Sequence, residues 1–176
     1  MKRKLILYIS CSLDGYIAKP NDDLGFLSLV EKEGEDYGYK DFVDSVDTVI
    51  IGRKTFDWVM CQVDEFPHLG KATYIISRTE KSPQGGITFY AGSLKDLVMS
   101  LKCRQGKHIF CDGGAEIVNE FLAEKLFDDL IISVIPVLVG DGIRLFKDGR
   151  PEQGLKLVSA KHFDTGLVQL HYQMAE

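Results

Sequence analysis

The stretch His108–Val118 has the sequence HIFCDGGAEIV and combines a short apolar run with two adjacent glycines. Apolar residues then recur at Ile117, Val118, Phe121 and Leu122, with the spacing of a helix. The pattern predicts a strand, a tight turn and a helix. Glycines let the backbone turn sharply and let a ligand approach it, and the start of a helix favours an anion such as a pyrophosphate. A strand–Gly-Gly–helix junction can also exist only for packing. The prediction of an anion site therefore needs supporting motifs elsewhere in the chain.

Composition predicts one soluble domain spanning residues 1–176. The chain is 45% hydrophobic and 27% charged, and its net charge is −5. This charge argues against nucleic acid or an anionic membrane as a partner. The apolar run after Met1-Lys2-Arg3-Lys4 meets Asp14 too early to span a membrane, and no signal-peptide cleavage site follows it.

The four cysteines, Cys11, Cys61, Cys103 and Cys111, form no C-x-x-C pair and have no histidine at metal-ligand spacing. This pattern predicts buried thiols in a reducing cytoplasm and no metal site.

Short β-branched runs alternate with helical patterns along most of the chain. Pro136 predicts a bulge or the end of a strand ladder, and Ser93 and either Asn21 or Asp22 are candidate helix caps. The predicted strands are 5–11, 48–51, 72–77, 87–90, the run before Gly113, and 130–139, and the predicted helices lie near 24–30, 39–46, 94–101 and after Gly114. Residues 155–163 and 167–174 predict a hairpin whose wetter face carries Gln169, His171 and Gln173. The order predicts a three-layer α/β fold with a mixed, mostly parallel central sheet, helices on both faces and a C-terminal antiparallel hairpin.

Three predicted strand ends carry residues suited to a phosphorylated dinucleotide. They are Gly52-Arg53-Lys54-Thr55, Ser77-Arg78 and Asp112-Gly113-Gly114-Ala115-Glu116. Ligands of open α/β sheets bind beyond the carboxyl ends of the strands. Guanidinium groups at Arg53 and Arg78 match a phosphate in a bidentate fork, although a lone arginine is more often a solvated loop residue.

The order of five motifs resembles the dihydrofolate reductase fold, and within it the reductase domain of the riboflavin-biosynthesis deaminase–reductase. The motifs are Ser12–Ala18 (SLDGYIA), Gly52–Phe56 (GRKTF), Tyr74–Arg78 (YIISR), Gly113-Gly114 before a helix, and Pro136–Gly142 (PVLVGDG). The resemblance implies NADPH as cofactor, hydride transfer to a small substrate, and a homodimer. It also implies that Gly52, Arg53, Lys54, Thr55, Ser77 and Arg78 bind the adenosine end with its 2′-phosphate, and that Asp112, Gly113, Gly114, Ala115 and Glu116 face the pyrophosphate and nicotinamide.

The substrate region departs from the known types. Riboflavin-type reductases, such as 5-amino-6-(5-phosphoribosylamino)uracil reductase, carry arginines after the SLDG segment, and here no arginine lies between Arg3 and Arg53. The zinc-deaminase signature is also absent. The expected substrate is therefore a small heteroaromatic compound, pterin- or pyrimidine-like, or a carbonyl compound.

Two carboxylates are candidate catalytic groups. Asp23 precedes Leu24-Gly25-Phe26, which is similar to the acidic helix start of dihydrofolate reductases, although the usual tryptophan is missing from the preceding loop. Asp23 could orient the substrate or only favour the helix dipole. Asp14 could route a proton or only form the turn before Gly15.

The sequence is also compatible with two other classes of function. The chain could be a non-catalytic nucleotide-binding module of the same fold, or an interaction domain in which the glycine turns are structural.

Overall fold

A computed structural model describes residues 2–79, 82 and 85–175, which form a mixed α/β fold. The strands are β1 (Leu5–Ser12), β2 (Tyr16–Ala18), β3 (Val46–Gly52), β4 (Ala72–Ile76), β5 (Ile87–Tyr90), β6 (His108–Gly113), β7 (Asp129–Ile135), β8 (Ile143–Arg144), β9 (Leu155–His162) and β10 (Val168–Met174). The α-helices are α1 (Tyr39–Asp44), α2 (Arg53–Gln62), α3 (Leu94–Lys102) and α4 (Ala115–Ala123), and 3-10 helices span Pro20–Asp22 and Gly25–Val30.

The central sheet has the strand order β5-β4-β3-β6-β1-β7-β10-β9. The strands from β5 to β7 pair in parallel, and β10 is antiparallel to both β7 and β9. The apolar strand β1 lies in the middle of the sheet, as its sequence predicts. Strand β7 ends at Ile135, directly before Pro136, so the prediction that the ladder stops at this proline is confirmed.

Helices cover both faces of the sheet. Leu5 and Leu7 of β1 belong to a core cluster that α3 and α4 complete. On the opposite face, Ile6 packs with Phe42 of α1, and α2 packs on β3 and β4 through partly buried residues such as Phe56. The predicted three-layer fold with helices on both faces is confirmed.

Helix α2 and the small antiparallel sheet of β2 and β8 were not among the predicted elements. None of the residues of α2 is buried, so the helix lacks the wide apolar stripe that periodicity detects. Strand β8 has only two residues, too few for an alternating pattern. The pairing of β2 with β8 joins residues that are distant in sequence, whereas α2 packs on the flanking strands β3 and β4.

The predicted caps before the first helical segment are wrong, whereas the Ser93 cap is confirmed. Asn21 and Asp22 both adopt positive φ angles, 63° and 57°, inside a separate 3-10 turn. This backbone turns the chain, and Leu24 then occupies the N-cap position of the Gly25–Val30 helix. The Ser93 side chain accepts a hydrogen bond from the Asp96 amide, which starts α3 as expected.

The C-terminal hairpin of β9 and β10 is confirmed, but its predicted wetter face is wrong at the start of β10. Gln169 is only 8% exposed, whereas the neighbouring Val168 is 37% exposed. Gln169 lies opposite Ser133 of β7 and points its amide into the interior. The alternation of polar and apolar residues could not predict that Gln169 is buried. A polar side chain can be buried only when other parts of the chain supply hydrogen-bond partners, and the alternation pattern does not show them.

Among the residues that the structure describes, no helix is long and apolar enough to cross a membrane.

Candidate functional site

A cleft with a volume of about 1400 Å³ lies beyond the carboxyl ends of the central strands. Single small-molecule sites usually measure roughly 300–1,000 Å³, so this cleft has room for two ligands side by side. Its β4 end is defined by the described residues Gly52, Arg53, Lys54, Thr55, Trp58, Ile76, Ser77 and Arg78. Its β7 end is defined by Tyr8, Ser10, Leu24, Leu27, Val30, Asp36, Tyr37, Tyr39, Ser133, Ile135 and Leu167, and Asp112, Gly114, Ala115 and Glu116 also line the cleft.

Two chain turns meet in close contact between these ends. A Cβ atom added to Gly114 would lie 2.9 Å from the Thr55 hydroxyl oxygen. A Cβ added to Gly52 would lie 3.5 Å from the Gly113 carbonyl oxygen and 3.0 Å from the Ile117 side chain. The Gly113–Gly114 peptide bond is cis. Glycine is needed here because the two turns touch through their backbones.

Two helix starts therefore open onto one cleft. Helix α2 begins at Arg53 and α4 begins at Ala115, and within the described residues no side chain caps either helix. The unpaired N–H groups and the positive ends of the two helix dipoles can both act on an anion in the cleft. This is the arrangement that holds phosphates in many nucleotide-binding proteins.

Arg53 is held at the mouth of the β4 end by two neighbours. Its Nε donates to both carboxylate oxygens of Asp57, at 2.6 and 2.7 Å, and its guanidinium lies 5.3 Å from the centroid of the Phe89 ring. The side chain remains about one third exposed. The guanidinium is therefore oriented at the surface, where it can meet an anion at low entropic cost.

Asp112 occupies an irregular position in β6. Ile50 and Ile51 of β3 pair with Cys111 and Gly113, so Asp112 is the additional residue of a bulge. Bulges at strand ends re-aim a side chain, and here the carboxylate of Asp112 lines the cleft and is 25% exposed.

His68 lies behind Asp112 in the interior. Its Nε2 is 3.3 Å from an Asp112 carboxylate oxygen, and the residue is only 4% exposed. Its Nδ1 is buried and makes no hydrogen bond within the described residues. The rings of Phe66 and Phe110 contact the imidazole edge-on, at centroid distances of 5.2 and 5.6 Å. The Asp112–His68 pair was not predicted, because the two residues are 44 positions apart and share no motif.

A cluster of uncharged polar groups lies at the β7 end. The two N–H groups of the Gln169 amide face three acceptors, which are the Tyr8 hydroxyl at 3.0 Å, the Tyr37 carbonyl at 3.1 Å and the Ser133 hydroxyl at 3.2 Å. Tyr8 in turn donates to the same carbonyl of Tyr37. Burial raises the pKa of Tyr8, so its hydroxyl stays protonated near neutral pH. Burial, with the nearby charge of Asp112, likewise raises the pKa of Tyr39 above its ordinary value.

Asp14 lies in the loop between β1 and β2, outside the set of described residues that line the cleft. Its carboxylate accepts hydrogen bonds from the Ser12 hydroxyl at 2.5 Å and from the amides of Val139 and Gly140 at 3.0 and 2.7 Å. The hydrogen bond from Ser12, followed by those from the two amides, lowers the pKa of Asp14 to about 2. These contacts favour the turn-forming alternative, and a catalytic role for Asp14 stays a prediction.

Asp23 also lies outside the described lining of the cleft. Its carboxylate accepts from the Gly25 amide at 2.7 Å and lies 3.7 Å from the Lys19 ammonium. Both contacts fix the turn before the Gly25–Val30 helix. They agree with the helix-start alternative, and substrate contact by Asp23 stays a prediction.

The structure brings together ten of the eleven residues proposed to bind a cofactor. Gly113 is the exception, because it is buried behind the turn. The ten residues that line the cleft are Gly52, Arg53, Lys54, Thr55, Ser77, Arg78, Asp112, Gly114, Ala115 and Glu116.

The four thiols differ in environment. Cys11 and Cys111 are buried as predicted, and burial raises their pKa values to about 11 and about 12. Both stay protonated, which disfavours a nucleophilic role. Cys61 and Cys103 are exposed, so the prediction of buried thiols is wrong for them. They lie on the outer side of α2 and at the end of α3.

A family model of the RibD C-terminal domain matches residues 3–169. The chain belongs to this family. The resemblance predicted from the motif order is therefore confirmed.

Similar proteins of the same length are known. YwjB of Bacillus subtilis (strain 168), an uncharacterized protein, is 42% identical, and the match covers 99% of this chain and 100% of YwjB. A solved structure from Shewanella sp. PV-4, of a protein named for riboflavin biosynthesis, is 27% identical with a TM-score of 0.89, covering 98% and 99% of the two chains. Dihydrofolate reductase from Enterococcus faecalis, solved with NADP(H), covers 100% of both chains at 12% identity and a TM-score of 0.66, which establishes a shared fold.

We expect Gly114→Ala to cost about 1–3 kcal/mol of unfolding free energy, because the new methyl group would overpack against the Thr55 hydroxyl. The cost should be smaller in a Thr55→Ala background, where the hydroxyl is missing. Denaturant unfolding of the four proteins of this double-mutant cycle measures the difference. An equal cost in both backgrounds would rule out the proposed contact between the two turns.

We expect Asp14→Asn to lower the melting temperature near neutral pH by an amount that shrinks in acid. The folded pKa of about 2 lies below the ordinary value of about 4, so the carboxylate stabilises the fold above that ordinary value. This stabilisation is lost as pH falls toward the folded pKa. Thermal unfolding of both proteins across the pH range tests this, with the exposed Asp64→Asn as control. A pH-independent difference would contradict the assignment.

Proposed function

We propose that this protein is an NADPH-dependent reductase that transfers hydride to a small heteroaromatic, pterin- or pyrimidine-like, or carbonyl substrate. The observation that carries the proposal is the convergence of two uncapped helix starts and the basic groups of Arg53, Lys54 and Arg78 on one side of a cleft large enough for two ligands. The other side of the cleft is mostly apolar and aromatic, which suits a flat organic substrate.

The residues present fit the phosphates of this cofactor. The turns at Gly52 and Gly114 leave no room for side chains, so a pyrophosphate can approach the N–H groups of α2 and α4 closely. We assign to Arg53, which Asp57 orients, the contact with the 2′-phosphate that distinguishes NADPH from NADH. Arg78, which follows β4, is exposed at the same end and can contribute a second guanidinium.

When bound, the cofactor would supply the hydride, and the chain would supply orientation and a proton. Asp112 is a carboxylate that lines the cleft between its two ends, with His68 behind it. We propose that this pair holds a proton near the reacting atoms. We prefer it to Asp14 and Asp23, because the carboxylates of those two residues accept hydrogen bonds within turns. The buried aromatic and aliphatic walls would exclude water from this point.

A homodimer is part of the proposal. Strand β9 lies at the edge of the sheet, and the hairpin carries exposed apolar side chains at Leu155, Leu157, Val158 and Val168. An exposed apolar edge favours pairing with another chain.

We expect Arg53→Ala to weaken NADPH binding by about tenfold to a hundredfold and to leave NADH binding nearly unchanged. A charge-assisted hydrogen bond contributes about 1.5–3 kcal/mol, and only NADPH carries the additional phosphate. Titration calorimetry with both nucleotides measures the two affinities.

The matched control is Arg104→Ala, which removes an exposed guanidinium that contacts Tyr74 outside the cleft. It should bind both nucleotides like the unaltered protein. Equal losses for NADPH and NADH in Arg53→Ala would remove the 2′-phosphate role. Failure of the unaltered protein to bind either nucleotide would overturn the proposed function.

A further inference from the structure

The charges that line the cleft are separated between its two ends. The basic residues among the described lining are Arg53, Lys54, Arg78 and Lys147. The first three belong to the β4 end. Lys147 lies beside α4, because its amide donates to Asn119 of that helix. At the β7 end, the described lining contains no Lys or Arg.

Acidic residues line the cleft at or near the β7 end instead. The carboxylate of Asp36 lines it and accepts from the amides of Gly38 and Lys40, which lower its pKa. Asp36 is therefore ionised near neutral pH. Asp22 also lines the cleft near this end. A phosphate or carboxylate placed here would meet the negative charge of Asp36, with no basic side chain among the described residues that line this end, which disfavours its binding.

The uncharged cluster at the β7 end has a fixed direction of hydrogen bonding. The Tyr37 backbone carbonyl can only accept, so the Gln169 group that faces it at 3.1 Å is the amide nitrogen, a donor. The same nitrogen faces the Tyr8 and Ser133 hydroxyls, and it can accept a proton from neither of them, because an amide nitrogen only donates. The Tyr8 hydroxyl donates its own proton to the Tyr37 carbonyl.

Ser133 is left with a hydroxyl proton to donate. Within the described residues, the only hydrogen-bond partner of the hydroxyl is the Gln169 amide nitrogen, which cannot accept its proton. Ser133 is only 2% exposed and lies on the floor of the β7 end. A buried donor without an acceptor costs free energy, and a ligand that carries an acceptor over Ser133 would recover it.

The walls around this donor are flat and apolar. Tyr39 packs edge-on against Tyr8 at a centroid distance of 5.5 Å, and Leu27 and Ile135 line the same end. Such walls favour a planar ring over a flexible polar chain.

We propose that the substrate of this site is an uncharged planar ring with a carbonyl oxygen, which accepts the hydrogen bond of Ser133, and that it carries no phosphate. The inference rests on the proposed reductase function and adds the class of its substrate. Gln169 acts as a positioning residue, since its amide fixes the hydroxyl of Ser133 as a donor toward the cleft.

Matched ring compounds test the inference on the full-length protein saturated with NADP⁺. One pair is 5-amino-6-ribosylaminouracil with and without its 5′-phosphate, and the other is dihydropterin and 6-carboxydihydropterin, which adds one carboxylate. Calorimetry measures each affinity after NADP⁺ binding has been measured on the same sample. We expect at least one uncharged ring to bind, and its charged partner to bind no more tightly.

Substitutions at one position separate the hydroxyl from the fold. Ser133→Ala should weaken binding of the uncharged ring by about fivefold to tenfold, the effect of one neutral hydrogen bond. NADP⁺ affinity should stay within about twofold, since Ser133 is at the other end of the cleft. Ser133→Thr keeps the hydroxyl and should restore most of the affinity, and Ser159→Ala on β9 serves as the control.

The outcomes distinguish the two proposals. Tighter binding of the phosphorylated compound by tenfold or more would overturn the inference, as would NADP⁺ binding without binding of any uncharged ring. Full affinity of Ser133→Ala for the uncharged ring would overturn the role of the hydroxyl. Absence of NADP⁺ binding would overturn the proposed function, and the inference with it.

Discussion

The contact between the turn at Gly52 and the turn at Gly113-Gly114 is the constraint on which the rest of the site depends. It brings the starts of α2 and α4 together, although more than sixty positions separate the two motifs along the chain. A Cβ atom at Gly114 would lie 2.9 Å from the Thr55 hydroxyl oxygen, so the two turns can approach this closely only because this residue is glycine. Without it, the two helix dipoles would not act on the same anion.

The order of the strands divides the cleft into chemically different ends. Strands β3 and β4 lie on one side of β1, and β7 and β10 on the other. The first pair leads into Arg53 and Arg78, whereas the second pair contributes Ser133 and the buried Gln169. This separation of charged from uncharged groups supports the proposal that a charged cofactor and an uncharged ring bind side by side. Asp112 lies between them, on a bulge at the end of β6.

Much of the fold could be predicted, because all strands of the central sheet and most helices carry a local pattern. Helix α2 could not, since none of its residues is buried and its apolar stripe is weak. The residues proposed to bind a cofactor could be found from their position after strands, as Arg53 and Ser77 illustrate. The pairing of His68 with Asp112, and that of Gln169 with Ser133, could not, because each joins residues that are far apart in sequence without a shared motif.

The sequence by itself determined the class of fold, the family and the glycine turns, because periodicity and short motifs are local properties of the chain. The tertiary structure decided which carboxylates face the cleft. Asp14 and Asp23 belong to motifs that suggest a catalytic role, yet both carboxylates accept hydrogen bonds from nearby backbone amides within turns. Asp112 reaches the cleft through a bulge that only strand pairing creates. A carboxylate's role depends on the donors that surround it in space, and folding brings those donors from distant parts of the chain.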